Sequence, residues 1–236
     1  MRTTVSILRR EFKGYFNSPV AYFVIAIFLV MVGVFFFIPF FSQDRISMRP
    51  FFSLVPFLLV FFGPAITMRL ISEERRSGTI ELLITMPVRD VDVILGKFLA
   101  ALGLFAVALL LTLPYAITVS RFGNLDWGPV IGGYFGLVLL GSSVLALGLL
   151  ASSWTENQIV AFVIALFLSM FFLMVDKFIP FLPNAAAAVV EFIGFSTHFQ
   201  NAARGMVDSR DVIFFLSFTV LALFLSFRSL EARRWR

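Results

Sequence analysis

The sequence has no cysteine, one histidine and few charged residues, which make up 14% of its 236 residues. The missing cysteine excludes disulfides, thiolate metal sites and cysteine nucleophiles. His198 has no second histidine or cysteine to complete a metal shell, so we expect a hydrogen-bonded structural role for it. Three motifs are also missing: the nucleotide-binding phosphate loop G-x-x-x-x-G-K-[ST], the hydrolase nucleophile motif G-x-S-x-G and the metalloprotease zinc motif H-E-x-x-H. We therefore expect no enzyme activity, metal or cofactor in this chain.

Apolar residues are abundant instead, at 60% of the chain with 32 phenylalanines. A bilayer core of about 30 Å takes about 20 helical residues to cross. Six runs are long enough or nearly so: residues 20–41, 51–71, 93–119, 129–152, 159–175 and 212–227. The sequence thus predicts an all-α membrane protein whose residues 1–236 form one domain with six transmembrane helices.

The basic residues indicate the topology of these spans. Of the 19 Lys and Arg residues, 13 fall on the side of the N-terminus and six on the other side. This bias predicts that both termini are cytoplasmic in a bacterial inner membrane. Lys97 lies close enough to the start of its span that we expect it to reach the lipid headgroups. The net charge of +5 does not indicate nucleic acid, because the basic residues flank helix ends rather than one separate face.

Two segments outside the spans have helical patterns of their own. Residues 1–18 place apolar side chains on one arc and basic side chains beside it, which predicts an interfacial elbow helix. A cleaved signal peptide is the competing interpretation, but the run after it exceeds 20 residues and no small-x-small site follows. Residues 178–210 are apolar but interrupted by Pro180 and Pro183, and an even number of spans requires them not to cross.

We expect residues 178–210 to form an outer-leaflet hairpin of short helices, either re-entrant or interfacial. Thr197 with Gln200 is spaced like a capping box at the start of the second short helix, and Gly205 is expected near its end.

The second and fourth spans have unusual residues. Pro56, Gly63 and Pro64 predict a kink in the second span, which is either static or a moving hinge. Gly132 and Gly136 begin a series of small residues in the fourth span that allows close helix approach. We expect this series to serve packing within the bundle or, as the second interpretation, contact between subunits.

The loop of residues 72–90, between the second and third spans, contains a short helix with its own start and stop signals. Gly78 can adopt the left-handed conformation that ends the incoming helix, Ser77 or Thr79 can cap a new one, and Pro87 stops it. The new helix has more apolar surface than a solvated loop should expose. We expect it to bind a groove in a protein or the membrane surface.

The run Glu-x-x-x-Ser-Gly-Thr-Ile-Glu-x-Leu-x-x-x-Pro of residues 73–87, with Ile-Leu-Gly-Lys at residues 94–97, resembles the permease subunits of type-2 ATP-binding-cassette exporters. It is most similar to the gliding-motility-associated and nitrous-oxide-reductase-maturation permeases of that family. The elbow helix, the six spans, the loop and the outer hairpin also occur in the family's order.

The resemblance implies that residues 79–86 form a coupling helix in a cleft of a separate ATPase subunit, with residues 1–18 and 153–158 as secondary contacts. The residues implied in this coupling are Glu73, Glu74, Arg75, Arg76, Gly78, Thr79, Ile80, Glu81, Leu82, Leu83, Ile84 and Pro87.

The resemblance further implies a homodimer of such permease subunits with two ABC ATPase subunits, which bind the ATP and Mg. A periplasmic auxiliary protein is a further implied partner, docking at the outer hairpin or at the loops near Arg45 and Asp126. Such a complex couples ATP hydrolysis to export or mechanical work across the inner membrane. Two alternatives remain open: a channel or carrier that needs no ATPase, and a membrane scaffold that recruits partners. The lipid bilayer is a partner in each case, and the cargo is not indicated.

Overall fold

The computed structural model of the chain describes residues 2–43, 46–79, 89–181 and 183–234, and every regular element in these ranges is helical. We number the α-helices in chain order: α1 Arg2–Asn17, α2 Pro19–Gln43, α3 Arg49–Thr67, α4 Ser72–Arg76, α5 Asp90–Leu110, α6 Leu113–Arg121, α7 Trp127–Trp154, α8 Gln158–Met174, α9 Asn184–Ile193, α10 Phe195–Ala203 and α11 Ser209–Arg234. A 3-10 helix, Val175–Phe181, directly follows α8. The predicted all-α class is confirmed.

The described residues contain six helices that are long and apolar enough to cross a membrane. They are Pro19–Ser42, Arg49–Arg76, Asp90–Arg121, Trp127–Trp154, Gln158–Phe181 and Ser209–Ala232. The predicted number of spans is therefore confirmed, and each predicted hydrophobic run lies inside one of them. The second span combines α3 with α4, the third combines α5 with α6, and the fifth combines α8 with the 3-10 helix.

The fourth span, α7, lies at the centre of the bundle. In its most apolar stretch 83% of the residues are buried, against 22% in the first and fifth spans. Small residues make this position possible: a methyl group added at Gly136 would lie 2.7 Å from Cβ of Ala202 in α10. One added at Gly63 of α3 would lie 2.5 Å from Cγ1 of Val144 in α7. Packing within the bundle, the first interpretation of the small-residue series, is confirmed.

Both termini lie at the same end of the bundle. The N-terminal helix α1 packs on the start of α5, where a methyl group added at Gly96 would lie 2.7 Å from Cγ2 of Ile7. Near the C-terminus, Ser229 of α11 donates a hydrogen bond of 3.2 Å to the carbonyl of Ser153, at the end of α7. We call this end, which also carries α4, the termini end, and the other one the opposite end.

The opposite end carries the 3-10 helix, α9 and α10. Gly194 separates α9 from α10, and Gly205 follows α10 with a φ of 86°, so the predicted end of this helix is confirmed. The predicted capping box is wrong. Thr197 is the third residue of α10, and its hydroxyl donates to the carbonyl of Gly194 at 2.8 Å. The helix begins earlier than the pattern suggested because Gly194 takes the extended N-cap conformation.

Phenylalanines join α10 to its neighbours at the opposite end. The ring of Phe195 is stacked on Phe172 of α8 with 5.2 Å between centroids and meets Phe218 of α11 edge-on at 4.8 Å. Such offset and edge-on pairs are favourable arrangements of aromatic quadrupoles. They fix α10 in the groove between α7, α8 and α11.

Candidate functional site

The described residues stop at Thr79 and resume at Arg89, so most of the predicted coupling helix lies outside them. This applies to Ile80, Glu81, Leu82, Leu83, Ile84 and Pro87, whose roles stay predictions. The structure does describe the chain that leads into this helix, from Glu73 to Thr79, and its surroundings at the termini end.

The short helix α4 ends as the sequence predicted. Gly78 has a φ of 70°, the left-handed conformation expected of it. Just before it, the Ser77 hydroxyl donates to the carbonyl of Glu73 at 2.9 Å and lies 2.9 Å from the hydroxyl of Thr79. These hydroxyls therefore bind the last turn of α4, and Gly78 turns the chain toward residues 80–88.

Lys97 of α5 is buried and paired with two carboxylates. Its side chain is 2% exposed, and its Nζ lies 2.7 Å from Oε1 of Glu74 and 3.4 Å from Oε1 of Glu11. The NH2 of Arg10 lies 3.0 Å from Oε1 of Glu11 and 3.9 Å from Oε1 of Glu74. The expectation that Lys97 reaches the headgroups is wrong, because α1 covers its side chain and Glu11 and Glu74 supply the charge that a buried ammonium needs. This cluster joins α1, α4 and α5.

Arg75 faces into the protein on the other side of α4. Its side chain is 4% exposed, and its NH2 lies 3.5 Å from Oε1 of Glu156 in the connection between α7 and α8. Its NH1 donates to the carbonyl of Ser153 at the end of α7. Beside it, the Gln158 amide donates to the carboxylate of Glu73. Residues 153–158 thus contact α4 within the same chain.

The backbone between α3 and α4 is held by a single hydroxyl of α7. Ser152, which is fully buried, accepts hydrogen bonds from the amides of Ile71 at 3.1 Å and Ser72 at 3.0 Å. The same oxygen donates to the carbonyl of Met68 at 2.9 Å. A hydroxyl has one donor and two acceptor positions, so all three are used. Ser152 replaces the helical hydrogen bonds that are lost where α3 ends.

The N-terminal helix α1 also contacts the end of α3. The Tyr15 hydroxyl donates to the carbonyl of Ile66 at 3.0 Å. Burial, and then the nearby Glu11 carboxylate, raise the pKa of Tyr15, so its hydroxyl stays protonated and able to donate. At the start of α1 the Thr4 hydroxyl donates to Asp92, in the first turn of α5. The helix α1 is therefore bound at both of its ends.

A cavity of about 210 Å³ lies between α1 and the stretch from Arg69 to Glu74. Glu11, Tyr15 and Lys97 line it. Arg76 does not line it and is exposed, and no described residue pairs with its side chain. Of the four charged residues implied as contacts of an ATPase, three contact other parts of this chain and Arg76 faces outward. Their predicted contacts with a partner stay predictions.

The hinge candidates Pro56, Gly63 and Pro64 all lie within α3. α3 continues through Pro56 and Pro64 and ends at Thr67, three residues after the second proline. The Thr67 hydroxyl donates to the carbonyl of Gly63 at 2.9 Å, and Gly63 lies against α7. A kink and a hinge both remain predictions for this span.

His198 lies at the opposite end in a compact network. Its Nδ1 lies 2.6 Å from Oδ1 of Asp211, its Nε2 lies 3.0 Å from the carbonyl of Phe192, and its ring is stacked on Phe214. Asn201 donates to the other oxygen of Asp211 at 3.1 Å. Within the described ranges, no group of three or more His, Asp or Glu side chains is placed to hold a metal ion.

For three residues of this site the sequence did not predict the contacts that the structure shows. The sequence drew attention to Lys97 because it is the last residue of the motif at residues 94–97. It did not indicate that Lys97 pairs with Glu11 and Glu74. No sequence feature marked Ser152 or Tyr15, because a serine or tyrosine beside an apolar run is common.

A comparison with known protein families matches residues 40–232 to the family model described as ABC-2 family transporter protein. The match begins near the end of the first span and reaches the last turns of α11. It includes the whole of α4, the loop of residues 72–90 and the opposite end. No curated protein matches the sequence.

Proposed function

This chain belongs to the ABC-2 family of transporter proteins, and from that premise we propose that it is the permease subunit through which a separate ATPase subunit drives export or mechanical work. The family supplies the membrane component of ABC transporters, so the chain itself is not the catalytic subunit. Under the proposal, ATP and Mg are bound by the partner ATPase.

The observation that carries the proposal is the ion-pair cluster around Lys97. The stretch leading into residues 79–86 is bound to α1 and α5 through Glu74 and Lys97, and to the α7–α8 connection through Arg75. A partner that moved residues 79–86 would therefore act on several spans together rather than on one loose loop. Packed elements that move as a unit are the usual means of such transmission.

The exposed residues next to α4 support the place of contact. Arg76, Ser77, Gly78 and Thr79 are all exposed at the termini end. The apolar pattern of residues 80–86 follows directly, and an apolar helix beside an exposed charged turn suits a groove in a protein. We propose that this surface binds the ATPase, with α1 and residues 153–158 close enough to add contacts.

The topology and the assembly are also part of the proposal. The excess of Lys and Arg on the termini side supports a cytoplasmic termini end and a periplasmic opposite end in a bacterial inner membrane. We propose a homodimer with two ATPase subunits, and an auxiliary periplasmic protein at the opposite end. The specific likeness to gliding-motility and nitrous-oxide-reductase-maturation permeases is the basis for the auxiliary protein.

The test is to purify the tagged chain from its native membrane in mild detergent, identify the copurifying subunits and measure ATP hydrolysis. We expect an ATPase in equal amount to the chain. Glu81→Lys and Leu83→Asp, in the predicted coupling helix, should leave the chain inserted and folded but reduce ATPase recovery and activity at least ~10-fold, as loss of a buried interface anchor does.

Glu191→Lys is the matched control, because it makes the same charge reversal at an exposed position of the opposite end. It should leave ATPase recovery unchanged. Full recovery and activity in both coupling-helix variants would refute the assignment of residues 79–86, and purification of the chain free of any ATPase would favour the channel or scaffold function.

A further inference from the structure

A second cavity, of about 530 Å³, lies at the opposite end of the bundle between α3, α8 and α10. Its size is within the range of roughly 300–1,000 Å³ typical of ligand sites. It is far from α4 and shares no lining residue with the termini end. None of the roles proposed for the coupling residues uses it.

The mouth of this cavity is basic. Arg49 is the first residue of α3, Lys177 lies in the 3-10 helix after α8, and Arg204 directly follows α10. Neither arginine has an acidic partner among the described residues, and Lys177 contacts only its neighbour Asp176, at 3.5 Å. No Asp or Glu is among the lining residues. Among the described residues, the mouth therefore has more positive than negative charge.

The walls below the mouth are apolar. Phe52, Leu173 and Phe199 are buried side chains that line the cavity, and Phe57 lines it with 44% of its surface exposed. From Arg49 to Phe57 the helix α3 extends about 12 Å at roughly 1.5 Å per residue. Half of a bilayer's hydrocarbon core is about 15 Å. The cavity thus has cations at the level of the headgroups and an apolar wall reaching into one leaflet.

We propose that this cavity binds an anionic phospholipid, with its phosphate at Arg49 and Arg204 and an acyl chain along Phe52 and Phe57. Guanidinium groups bind phosphate oxygens in a bidentate manner, and two arginines together select an anionic headgroup over a zwitterionic one. A soluble anion would make no contact with the apolar wall. A zwitterionic lipid would bring a cationic headgroup beside the arginines, which disfavours it. In the proposed topology the lipid comes from the outer leaflet.

The test uses the full chain, purified in neutral detergent and titrated with dioleoylphosphatidylglycerol, with the bound lipid counted by native mass spectrometry. Dioleoylphosphatidylcholine and glycerol 3-phosphate are the comparison ligands. We expect the wild-type chain to prefer phosphatidylglycerol over phosphatidylcholine by roughly tenfold or more, since each arginine adds attraction to an anionic headgroup. The double variant R49Q/R204Q should lose this preference.

The matched control is R121Q/R210Q, which removes two exposed arginines from the same end that do not line the cavity. It should bind phosphatidylglycerol like the wild type. Ala203→Phe keeps both arginines but fills the cavity, and it should weaken lipid binding by a similar factor.

Three outcomes would overturn the proposal. One is an unchanged lipid preference in R49Q/R204Q, and another is glycerol 3-phosphate binding as tightly as the lipid, which would make the apolar wall irrelevant. The third is a wild-type chain that retains no lipid, which would mean that another polypeptide closes the cavity. No ATPase takes part in the measurement, so its result is independent of the proposed permease function.

Discussion

The ammonium group of Lys97 is buried in the termini end beside two carboxylates. Its side chain is 2% exposed, whereas those of Glu11 and Glu74 are 20% and 18% exposed. A buried cation is tolerated only where opposite charge and hydrogen bonds replace its hydration. The three side chains come from α1, α4 and α5, so the pairing also fixes where α1 lies.

Lys97→Met tests this at the level of one residue, because methionine keeps much of the length and removes the charge. We expect the free energy of unfolding to fall by about 2 kcal/mol, somewhat below the roughly 3–5 kcal/mol of a fully buried pair, since the two carboxylates keep some contact with water. Reversible unfolding in mixed detergent and dodecyl sulfate micelles, followed by circular dichroism, measures the change.

Lys13→Met is the control for this substitution. Lys13 is exposed on α1 and has no partner among the described residues, so its replacement should change the free energy by less than about 0.5 kcal/mol. Equal stability of the two variants would contradict a structural role for the Lys97 cluster.

At the scale of elements, the break between α3 and α4 is where the second span leaves regular helix. Pro64 has no amide hydrogen, and α3 ends at Thr67. The freed backbone groups of Met68, Ile71 and Ser72 are bound by the Ser152 hydroxyl instead. In an apolar environment such groups must find a partner in the protein, and a serine of a neighbouring helix is a common one.

Ser152→Ala should therefore loosen the connection of α4 to the bundle. It leaves the amides of Ile71 and Ser72 without a partner, while the carbonyl of Met68 keeps its hydrogen bond from the Ser72 hydroxyl. We expect a loss of stability of about 1–3 kcal/mol. Hydrogen exchange read by mass spectrometry should show faster exchange confined to residues 68–76.

Ser42→Ala removes an exposed hydroxyl whose one bond among the described residues is to the carbonyl of Ile38 in its own helix. It should leave exchange in residues 68–76 unchanged. If the amides of residues 68–76 exchanged no faster in Ser152→Ala than in Ser42→Ala, the Ser152 hydroxyl would not stabilise the connection between α3 and α4.

At the scale of the whole molecule, the bundle is organised around α7. The second, third, fifth and sixth spans and α10 pack on it, and its glycines admit side chains of its neighbours. Phe105 of α5 lies against Gly141, and Ala202 of α10 lies against Gly136. The first, fifth and sixth spans are buried over only 22%, 22% and 28% of their most apolar stretches.

A pair of Gly→Ala substitutions tests this organisation. At Gly136 the added methyl would lie 2.7 Å from Cβ of Ala202, so α10 must move, and we expect a loss of about 1–3 kcal/mol. At Gly14 of α1 nothing lies within 4 Å, and the same substitution should stabilise the chain by about 0.5–1 kcal/mol through helix propensity. The midpoint temperature of thermal unfolding in detergent should fall for Gly136→Ala and rise for Gly14→Ala. A change in the same direction for both variants would contradict close packing of α10 on α7.

The membrane class, the six spans, the end of α4 at Gly78 and the packing of small residues in the fourth span follow from the sequence. Each depends on local signals: the length of an apolar run, a glycine where a left-handed turn is needed, or glycines repeated along one helix. The position of Lys97 and the start of α10 did not follow. Burial of Lys97 depends on α1, which is distant in the chain, and the start of α10 depends on the backbone of Gly194.

The sequence by itself determined that this chain folds in a membrane, because six of its segments are apolar enough that only a bilayer accommodates them. The bilayer in turn requires that these segments be helical. Only the tertiary structure decided which polar groups meet. The cluster of Glu11, Glu74 and Lys97, the three bonds of Ser152 and the basic mouth of the cavity at the opposite end each combine residues from separate helices. Inside an apolar bundle a polar group is stable only beside a partner, and which partner it finds is set by how the helices pack.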